Sequence, residues 1–352
     1  MTAFEDHRAP MLRALKGQTL EIPDLAALIY PDWHVDQHEM EPEVRRDIDN
    51  DFVGRWFPEN YRRQKFAKGS FAEVAGYFCN GCQLFVWDDG KVSKIDCGNL
   101  TKDETGTKQC QNDTISFLKT CLEPNEPGSS QSHATLGTHN SNCFKEIGDA
   151  MKKGQSKEAL HRFAVSMYEY VDSVCHAQKV RVTGFPTWEE YLDNREQTVG
   201  AYPYIMAMEY AYEVVIPSWV YETEEFQVMF KETTIAIIMV NDICSLKKEI
   251  TEEQVESAIP LKMHHQGHKN AQDALNEIIE DMSKSRQRFN VAEHLFLQRK
   301  EYQYMNASAQ GGVEILIQGC KNMILGNLKW SFSTKRYEPD ERPGGWAATY
   351  RL

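Results

Sequence analysis

The stretch that decides the fold is VMFKETTIAIIMVNDICSLKKEI, residues 228–250. Its first half is rich in β-branched residues and on that ground alone is compatible with a buried strand. Its length argues against a strand, because more than twenty residues pass without a turn signal and strands rarely run beyond ten. The stretch therefore predicts a helix that is buried on all sides.

Helical periodicity recurs on both sides of this stretch. A capping box formed by Thr187 and Glu190 predicts a helix that begins near Trp188, and Gly200 and Pro203 predict an interruption in it. The other predicted helices cover residues 68–89, 158–179, 271–288, 292–306 and 312–333. No sequence repeat and no alternation of strands with helices accompanies them, so the predicted fold class is all-α.

The domain organisation follows from where this periodicity is lost. Residues 1–65 are predicted as an N-terminal helical segment packed on the core, and residues 66–340 as a single α-helical domain. Within that domain, residues 93–157 are rich in polar residues and predict a loop insertion with one short helix at about 115–121. On this interpretation, deletion of residues 98–139 leaves folding intact.

Composition narrows the classes of function. The 352-residue chain has a net charge of −13 and no basic run, which argues against nucleic acid and against an anionic membrane surface. It has no apolar run of transmembrane length, and its polar, acidic start does not resemble a signal peptide. We therefore expect a cytoplasmic protein without stable membrane insertion.

The nine cysteines are expected to be reduced thiols. Cys79 and Cys82 form a single CxxC without a second pair at tight spacing, so small core or loop residues are a better interpretation than a zinc site.

The second half of the deciding stretch holds a candidate metal site. Asn241, Ser245 and Glu249 are spaced i, i+4 and i+8, so on a helix they drift only about 80° and share one face over roughly 12 Å. An amide oxygen, a hydroxyl and a carboxylate are hard oxygen ligands that suit Mg²⁺. The alternative is a polar stripe where a buried helix reaches solvent.

This segment resembles the NDxxSxxxE magnesium motif of class I terpene synthases, in particular of the microbial and fungal sesquiterpene cyclases. Further matches extend the resemblance over residues 71–337. Arg195, which lies 46 residues before Asn241, matches the family's diphosphate-sensing arginine. Arg336 and Tyr337 match its C-terminal RY pair, and Lys248 matches a diphosphate-contacting lysine of some members. The resemblance implies a class I terpenoid synthase-like helical bundle around a central cavity.

The resemblance also implies the functional residues. Three Mg²⁺ ions are expected, two of them held by Asp88 and the third by Asn241, Ser245 and Glu249. Asp89 is expected to contact metal or a neighbouring arginine. The residues expected to donate hydrogen bonds to diphosphate are Arg195, Lys248, Arg336 and Tyr337. Alternatives are a surface salt bridge for Arg195 and a C-terminal packing contact for the Arg336–Tyr337 pair.

The Asp pair departs from the family pattern. The family usually shows DDxxD or DDxxE, whereas this chain has Asp88-Asp89-Gly90-Lys91-Val92, in which the third acid is missing. This leaves open a less active enzyme or one that closes differently.

Three residues are candidates for the substrate cavity. Phe85, one helical turn before Asp88, and Trp330, six residues before Arg336, are aromatic residues suited to stabilise a cation. Val199 lies at the predicted helix break, where the family points a carbonyl at the nascent cation. A core role is the alternative for both aromatic residues. The histidines of the HHQGH segment, residues 264–268, are expected in a solvated linker.

The implied activity is Mg²⁺-dependent ionisation and cyclisation of a linear prenyl diphosphate, farnesyl diphosphate first, to a sesquiterpene hydrocarbon or alcohol. The alternatives are a diterpene cyclase acting on geranylgeranyl diphosphate, a chain-elongating prenyltransferase and a non-catalytic helical homologue. A homodimer is a further possibility that the resemblance leaves open.

Overall fold

The computed structural model describes residues 3–35, 41–57, 59–70, 103–123, 143–180 and 185–352. Within these ranges the regular secondary structure is helical apart from two short strands, which confirms the all-α prediction. The elements follow one another as α1 (Ala3–Leu15), β1 (Thr19–Ile22), α2 (Leu25–Ile29), α3 (Glu41–Asp47), a π-helical turn (Ile48–Phe52), α4 (Val53–Trp56), α5 (Asn60–Gly69), α6 (Glu104–Leu122), α7 (Cys143–Gly154), α8 (Lys157–Val180), α9 (Trp188–Thr198), α10 (Ala201–Ala211), α11 (Ser218–Tyr221), α12 (Glu224–Thr251), α13 (Ala258–Gln266), α14 (Ala271–Leu297), α15 (Lys300–Gln303), α16 (Ala307–Ser333) and β2 (Ala348–Arg351).

Helix α12 is the central element and contains the deciding stretch. It begins at the N-cap Thr223, whose side chain accepts the N–H of Phe226, and it packs against α14 and α16. Its central residues are almost all buried, including Thr233 and Thr234, whose hydroxyls donate to the carbonyls of the preceding turn. These local bonds satisfy the buried hydroxyls, so the two threonines are tolerated in the buried part of the helix.

Helix α9 starts where the capping box predicted. The hydroxyl of Thr187 accepts the N–H of Glu190, and the Glu190 carboxylate accepts the N–H of Thr187 at 2.8 Å. The predicted interruption is also present, because Gly200 has φ +77° and separates α9 from α10. Pro203, in contrast, lies within the first turn of α10, where its missing N–H costs no helical bond.

The two strands join the beginning and the end of the described chain. Strand β1 pairs antiparallel with β2, with Leu20 opposite Tyr350. Leu20 and Ile22 are buried in the same apolar cluster as α12. Helix α5 runs across the domain boundary predicted at residues 65–66, and the division into domains stays a prediction.

The structure corrects the interpretation of residues 93–157 as a loop. Two helices, α6 and α7, occupy the described parts of this stretch. Phe117, Leu118 and Leu122 on α6 are buried, so deletion of residues 98–139 would remove part of the core. The short helix predicted at about residues 115–121 is present as the last part of α6. The first part of α6 was not predicted, because its buried face there consists of Thr107 and Thr114 rather than aliphatic residues.

A second correction concerns residues 271–306. We expected a break near residue 290, but α14 continues to Leu297 because Phe289, Ala292 and Phe296 extend its buried face. The helix predicted to begin at Gly312, which is α16, begins at Ala307. The predicted helix over residues 68–89 lies almost entirely outside the described residues.

Smaller features complete the fold. His264 and His265 are exposed, as expected, but they lie in the last turn of α13 rather than in a linker. Cys110, Cys121, Cys244 and Cys320 are free thiols, while Cys79 and Cys82 lie outside the described residues. Among the helices that the structure describes, none combines the length and apolar character that a membrane crossing requires.

Candidate active site

The candidate site is built on the C-terminal half of α12. Asn241, Ser245 and Glu249 follow one another along one face of the helix, as their spacing predicts. The Ser245 hydroxyl donates to Glu249 Oε1 at 2.7 Å. The second carboxylate oxygen, Oε2, is buried and makes no hydrogen bond of normal geometry among the described residues, although the Ser257 hydroxyl lies close enough to the carboxylate to lower its pKa. An unpaired buried carboxylate oxygen is costly, so this atom is suited to a cation.

Helix α9 brings Arg195 to this face. Its Nη2 donates to Asn241 Oδ1 at 3.3 Å and lies 3.5 Å from Asp242 Oδ1. The Nε of Arg195 is buried without a partner within the described ranges. The guanidinium therefore faces Asn241, the first residue of the motif, and retains a donor for an anionic ligand.

The segment after α16 brings Arg336 and Tyr337 to the same place. The Tyr337 hydroxyl accepts a hydrogen bond from Asn241 Nδ2 at 2.9 Å, and the ring is buried. Burial raises the pKa of Tyr337 to about 12, so its O–H keeps its proton at neutral pH. The Arg336 guanidinium lies 6.0 Å from the centre of the Tyr337 ring. Asn241 thus bridges Arg195 and Tyr337, residues that are distant in sequence.

Asp242 and Tyr191 form a second, deeper network that the sequence did not identify. The Asp242 carboxylate is buried and accepts hydrogen bonds from the Tyr191 hydroxyl and, at 3.1 Å, from the Ala258 N–H. Asp242 therefore caps α13 from another helix and holds Arg195 by charge. The available signal was that Tyr191 precedes Arg195 by one turn and that Asp242 follows Asn241 directly.

Burial sets the electrostatics of the two carboxylates. It raises the pKa of Glu249 to about 7, and the nearby charge of Asp242 adds to this, while the Ser245 hydroxyl, Arg195 and the Ser257 hydroxyl oppose it. Burial also raises the pKa of Asp242, and Arg195 and the Tyr191 hydroxyl oppose that shift. The two acids lie one above the other near Arg195, so a bound cation would stabilise their ionised forms.

The residues present fit a divalent metal ion. An amide oxygen, a hydroxyl and a carboxylate with an unpaired buried oxygen are the donor types that Mg²⁺ prefers. Within the described ranges, no group of three or more His, Cys, Asp or Glu side chains is arranged to hold a metal ion. Asp88 and Asp89, the other predicted ligands, lie outside these ranges, as does Phe85.

The structure does not bring Lys248 into this group. Its amine pairs with Glu252 at 2.7 Å, one turn further along α12. Trp330 is buried, donates its indole N–H to the Gly69 carbonyl at 2.7 Å and lies 5.7 Å from the Tyr337 ring, edge to face. It therefore packs behind the RY pair.

Val199 lies at the break between α9 and α10. It is partly buried, and its N–H donates to the carbonyl of Arg195 at 2.9 Å. The left-handed Gly200 then redirects the chain within one residue of Val199. The sequence-predicted break is therefore confirmed, and a role for the Val199 carbonyl stays a prediction.

Together the fold and this constellation define the class: an all-α enzyme whose buried helix presents oxygen ligands beside an arginine and a tyrosine. Comparison with known proteins gives the family. Residues 84–288, more than half of the chain, match the model described as terpene synthase family 2, C-terminal metal binding. The chain belongs to this family.

Individual proteins similar to this chain are terpene cyclases. Terpene cyclase braA of Annulohypoxylon truncatum is 26% identical over 94% of this chain and 89% of its own length. Terpene cyclase 4 of Gibberella fujikuroi is 32% identical over 57% of this chain and 51% of its own. The protein is a terpene synthase.

Solved structures share the fold at low identity. α-Eudesmol synthase gives a TM-score of 0.71 at 16% identity, covering 86% of this chain and 98% of that one. Hedycaryol synthase gives 0.70 at 14% identity, covering 88% and 98% respectively.

Proposed function

We propose that this terpene synthase ionises farnesyl diphosphate in the presence of three Mg²⁺ ions and cyclises it to a sesquiterpene hydrocarbon or alcohol. The family supplies the reaction class, and farnesyl diphosphate follows from the resemblance to sesquiterpene cyclases. The observation that carries the site assignment is Asn241, held between Arg195 and Tyr337 on the helix that carries the unpaired Glu249 oxygen.

Asn241, Ser245 and Glu249 would hold one Mg²⁺, and Asp88, with Asp89 beside it, the other two. When bound, Mg²⁺ neutralises the negative charge that develops on the departing diphosphate. Lys248 keeps its assignment as a diphosphate contact only if its amine leaves Glu252 when substrate binds.

The chain's own residues have defined roles in breaking the C–O bond. The bonding electron pair leaves with diphosphate, and an allylic cation remains. Arg195, through its unpaired Nε–H, and Arg336 donate to diphosphate oxygens and stabilise the growing charge. Tyr337 accepts from Asn241, so its own O–H is available to donate to the same group.

The cation is then quenched within the protein. Loss of a proton gives a hydrocarbon, and addition of water gives an alcohol. Phe85 and Trp330 are proposed to stabilise the cation through their ring faces, and Val199 through its carbonyl.

The test is incubation of the purified protein with farnesyl diphosphate, with Mg²⁺ or with excess chelator, followed by mass spectrometry of the organic extract. A cyclic product formed only with Mg²⁺ is the expected result. Product from geranylgeranyl diphosphate alone would replace sesquiterpene by diterpene cyclisation. Coupling with isopentenyl diphosphate would identify a chain-elongating prenyltransferase.

Variants connect the activity to the site. Asn241→Ala and Ser245→Ala are expected to reduce kcat/KM by about 100-fold, because each removes a ligand of the charge-stabilising group. Ser283→Ala on α14 is the matched control, since among the described residues that hydroxyl donates to its own helix, at the Ile279 carbonyl. No turnover by wild type of any prenyl diphosphate would indicate the non-catalytic homologue.

A further inference from the structure

The chain that follows Tyr337 crosses α12 and is fixed on its other side. Asp340 accepts the Lys247 amine with both carboxylate oxygens at 2.8 Å. Lys247 lies two residues from Ser245 and two from Glu249, so it projects about 200° away from their face. Tyr337 contacts the ligand face of α12 and Asp340 contacts the opposite side, three residues later.

The turn between these two contacts is strained. Glu338 has φ +37°, in the left-handed region that a residue with a Cβ rarely occupies. Such a conformation persists only when the chain is held on both sides of it. The Tyr337–Asn241 hydrogen bond holds one side, and the Lys247–Asp340 ion pair holds the other.

Asp340 is in turn joined to the small sheet. Its side chain accepts the Arg351 N–H at 2.6 Å, and its own N–H donates to the Thr349 carbonyl at 2.9 Å. The Lys247 hydrogen bond, followed by that of the Arg351 N–H, lowers the pKa of Asp340, which keeps the carboxylate charged at neutral pH.

The sheet provides the fixed base for this arrangement. Strand β2 pairs with β1, and the Glu21 N–H of β1 donates to the Gln272 side chain of α14 at 2.8 Å. Tyr350 of β2 is buried beside Cys244 of α12, within the metal motif itself. The segment from Tyr337 to Arg351 is therefore held against α12 and, through β1, against α14.

We propose that Lys247 and Asp340 are positioning residues, whose ion pair holds Arg336 and Tyr337 where a diphosphate group binds. This inference rests on the proposed function and deepens it. Neither residue touches the substrate, because both lie on the side of α12 away from Asn241. Their effect on the reaction passes through the turn at Glu338.

Four variants test the contribution of the ion pair separately from the stability of the rest of the fold. Lys247→Met removes the charge and keeps the aliphatic chain, and Lys247→Arg keeps a donor that matches a carboxylate. Asp340→Asn removes the charge but retains an oxygen for the Arg351 N–H. Lys284→Met is the control, because that lysine pairs with Asp281 within α14, away from the site.

The measurement is calorimetric binding of inorganic diphosphate in the presence of Mg²⁺, with hydrogen exchange of the peptide covering residues 334–341. Lys247→Met and Asp340→Asn are expected to raise the Kd for diphosphate about threefold or more and to speed exchange of that peptide. Lys247→Arg is expected to restore both values, and Lys284→Met to change neither.

The results distinguish the two levels of proposal. If wild type binds diphosphate and Lys247→Met and Asp340→Asn bind it equally well, the positioning role is overturned and the proposed function stands. The same conclusion follows if Lys284→Met weakens binding as much as Lys247→Met does. If wild type binds no diphosphate with Mg²⁺, the proposed function is overturned, and the positioning role with it.

Discussion

Asn241 and Asp242 are adjacent but serve different purposes. Successive helical residues project about 100° apart, so Asn241 reaches Arg195 and Tyr337, while Asp242, which also lies near Arg195, is buried more deeply. There Asp242 meets the Tyr191 hydroxyl and the Ala258 N–H. Asn241 thus belongs to the site, and Asp242 connects its own helix, α12, to α9 and α13.

Tyr191→Phe tests this division at the residue level. The substitution removes one hydrogen bond to a buried carboxylate, so we expect a loss of about 1–3 kcal/mol of stability. It also removes a restraint on the carboxylate that faces Arg195, so kcat/KM is expected to fall. Urea unfolding and steady-state kinetics measure the two effects.

Tyr302→Phe is the matched control for this variant. Its hydroxyl also bonds to a carboxylate, Glu314 at 3.0 Å, but on α15 and α16 rather than at the site. We expect lower stability with normal kinetics from this control. Equal kinetics for the two variants would contradict a placement role for Tyr191.

The sequence predicts the residues of the site better than their contacts. The spacing of Asn241, Ser245 and Glu249 follows from helix geometry alone. The contact between Arg195 and Asn241 depends on how their two helices pack. No local pattern in a single sequence encodes that packing. Tyr191 was missed because a buried aromatic residue on a helix looks like ordinary core until its hydroxyl partner is known.

At the scale of elements, helices with aliphatic faces and clear caps could be predicted. Helices α8, α9 and α12 begin and end close to the predicted residues. Only the last part of α6, at about residues 115–121, was predicted; its first part was not, because threonines occupy buried positions there. The Thr114 hydroxyl donates to the Cys110 carbonyl at 2.8 Å, which makes a polar residue acceptable in the core.

The cap of α9 predicts a pH dependence. Hydrogen bonds from the Thr187 backbone and side chain lower the pKa of Glu190. A carboxylate whose folded pKa is lowered stabilises the fold above its unfolded pKa, near 4, and loses this contribution as pH falls through the folded value. Glu190→Gln should therefore lower the urea midpoint at pH 7 and change it less at acid pH.

Glu189→Gln is the control for the cap. It removes the same charge from the same first turn of α9, but not the capping carboxylate. A pH-independent difference between Glu190→Gln and wild type would contradict the proposed linkage.

The break between α9 and α10 predicts a cost for a side chain at Gly200. A Cβ added there would lie 3.2 Å from the Tyr170 ring, at a φ of +77°. Gly200→Ala should cost roughly 1–2 kcal/mol from the left-handed backbone, with more from the contact, and should alter the product mixture if the Val199 carbonyl steers the cation.

Gly267→Ala isolates the backbone contribution. Gly267 has a similar φ of +70°, and nothing lies within 4 Å of its added Cβ. Thermal unfolding of both variants, with product analysis, gives the comparison. A larger loss of stability for Gly267→Ala would contradict the Tyr170 contact.

At the scale of the whole molecule, a chain with a net charge of −13 must bind an anionic substrate against its own charge. We expect Mg²⁺ and diphosphate to raise the melting temperature by a few degrees when added together, since the cation and the anion neutralise each other's charge in the site and so bind more tightly together. Either one alone should have a smaller effect. Differential scanning fluorimetry measures this, and additive shifts from separate binding would contradict it.

The pairing of β1 with β2 has a consequence for the order in which the enzyme folds. These strands lie almost the whole chain apart in sequence, and contacts of that range form slowly, because the chain between them must first be organised. The helices can therefore assemble before Tyr337 reaches Asn241. On refolding, recovery of catalytic activity should lag behind recovery of the helical signal, so the chain passes through a form that looks folded and cannot yet release diphosphate.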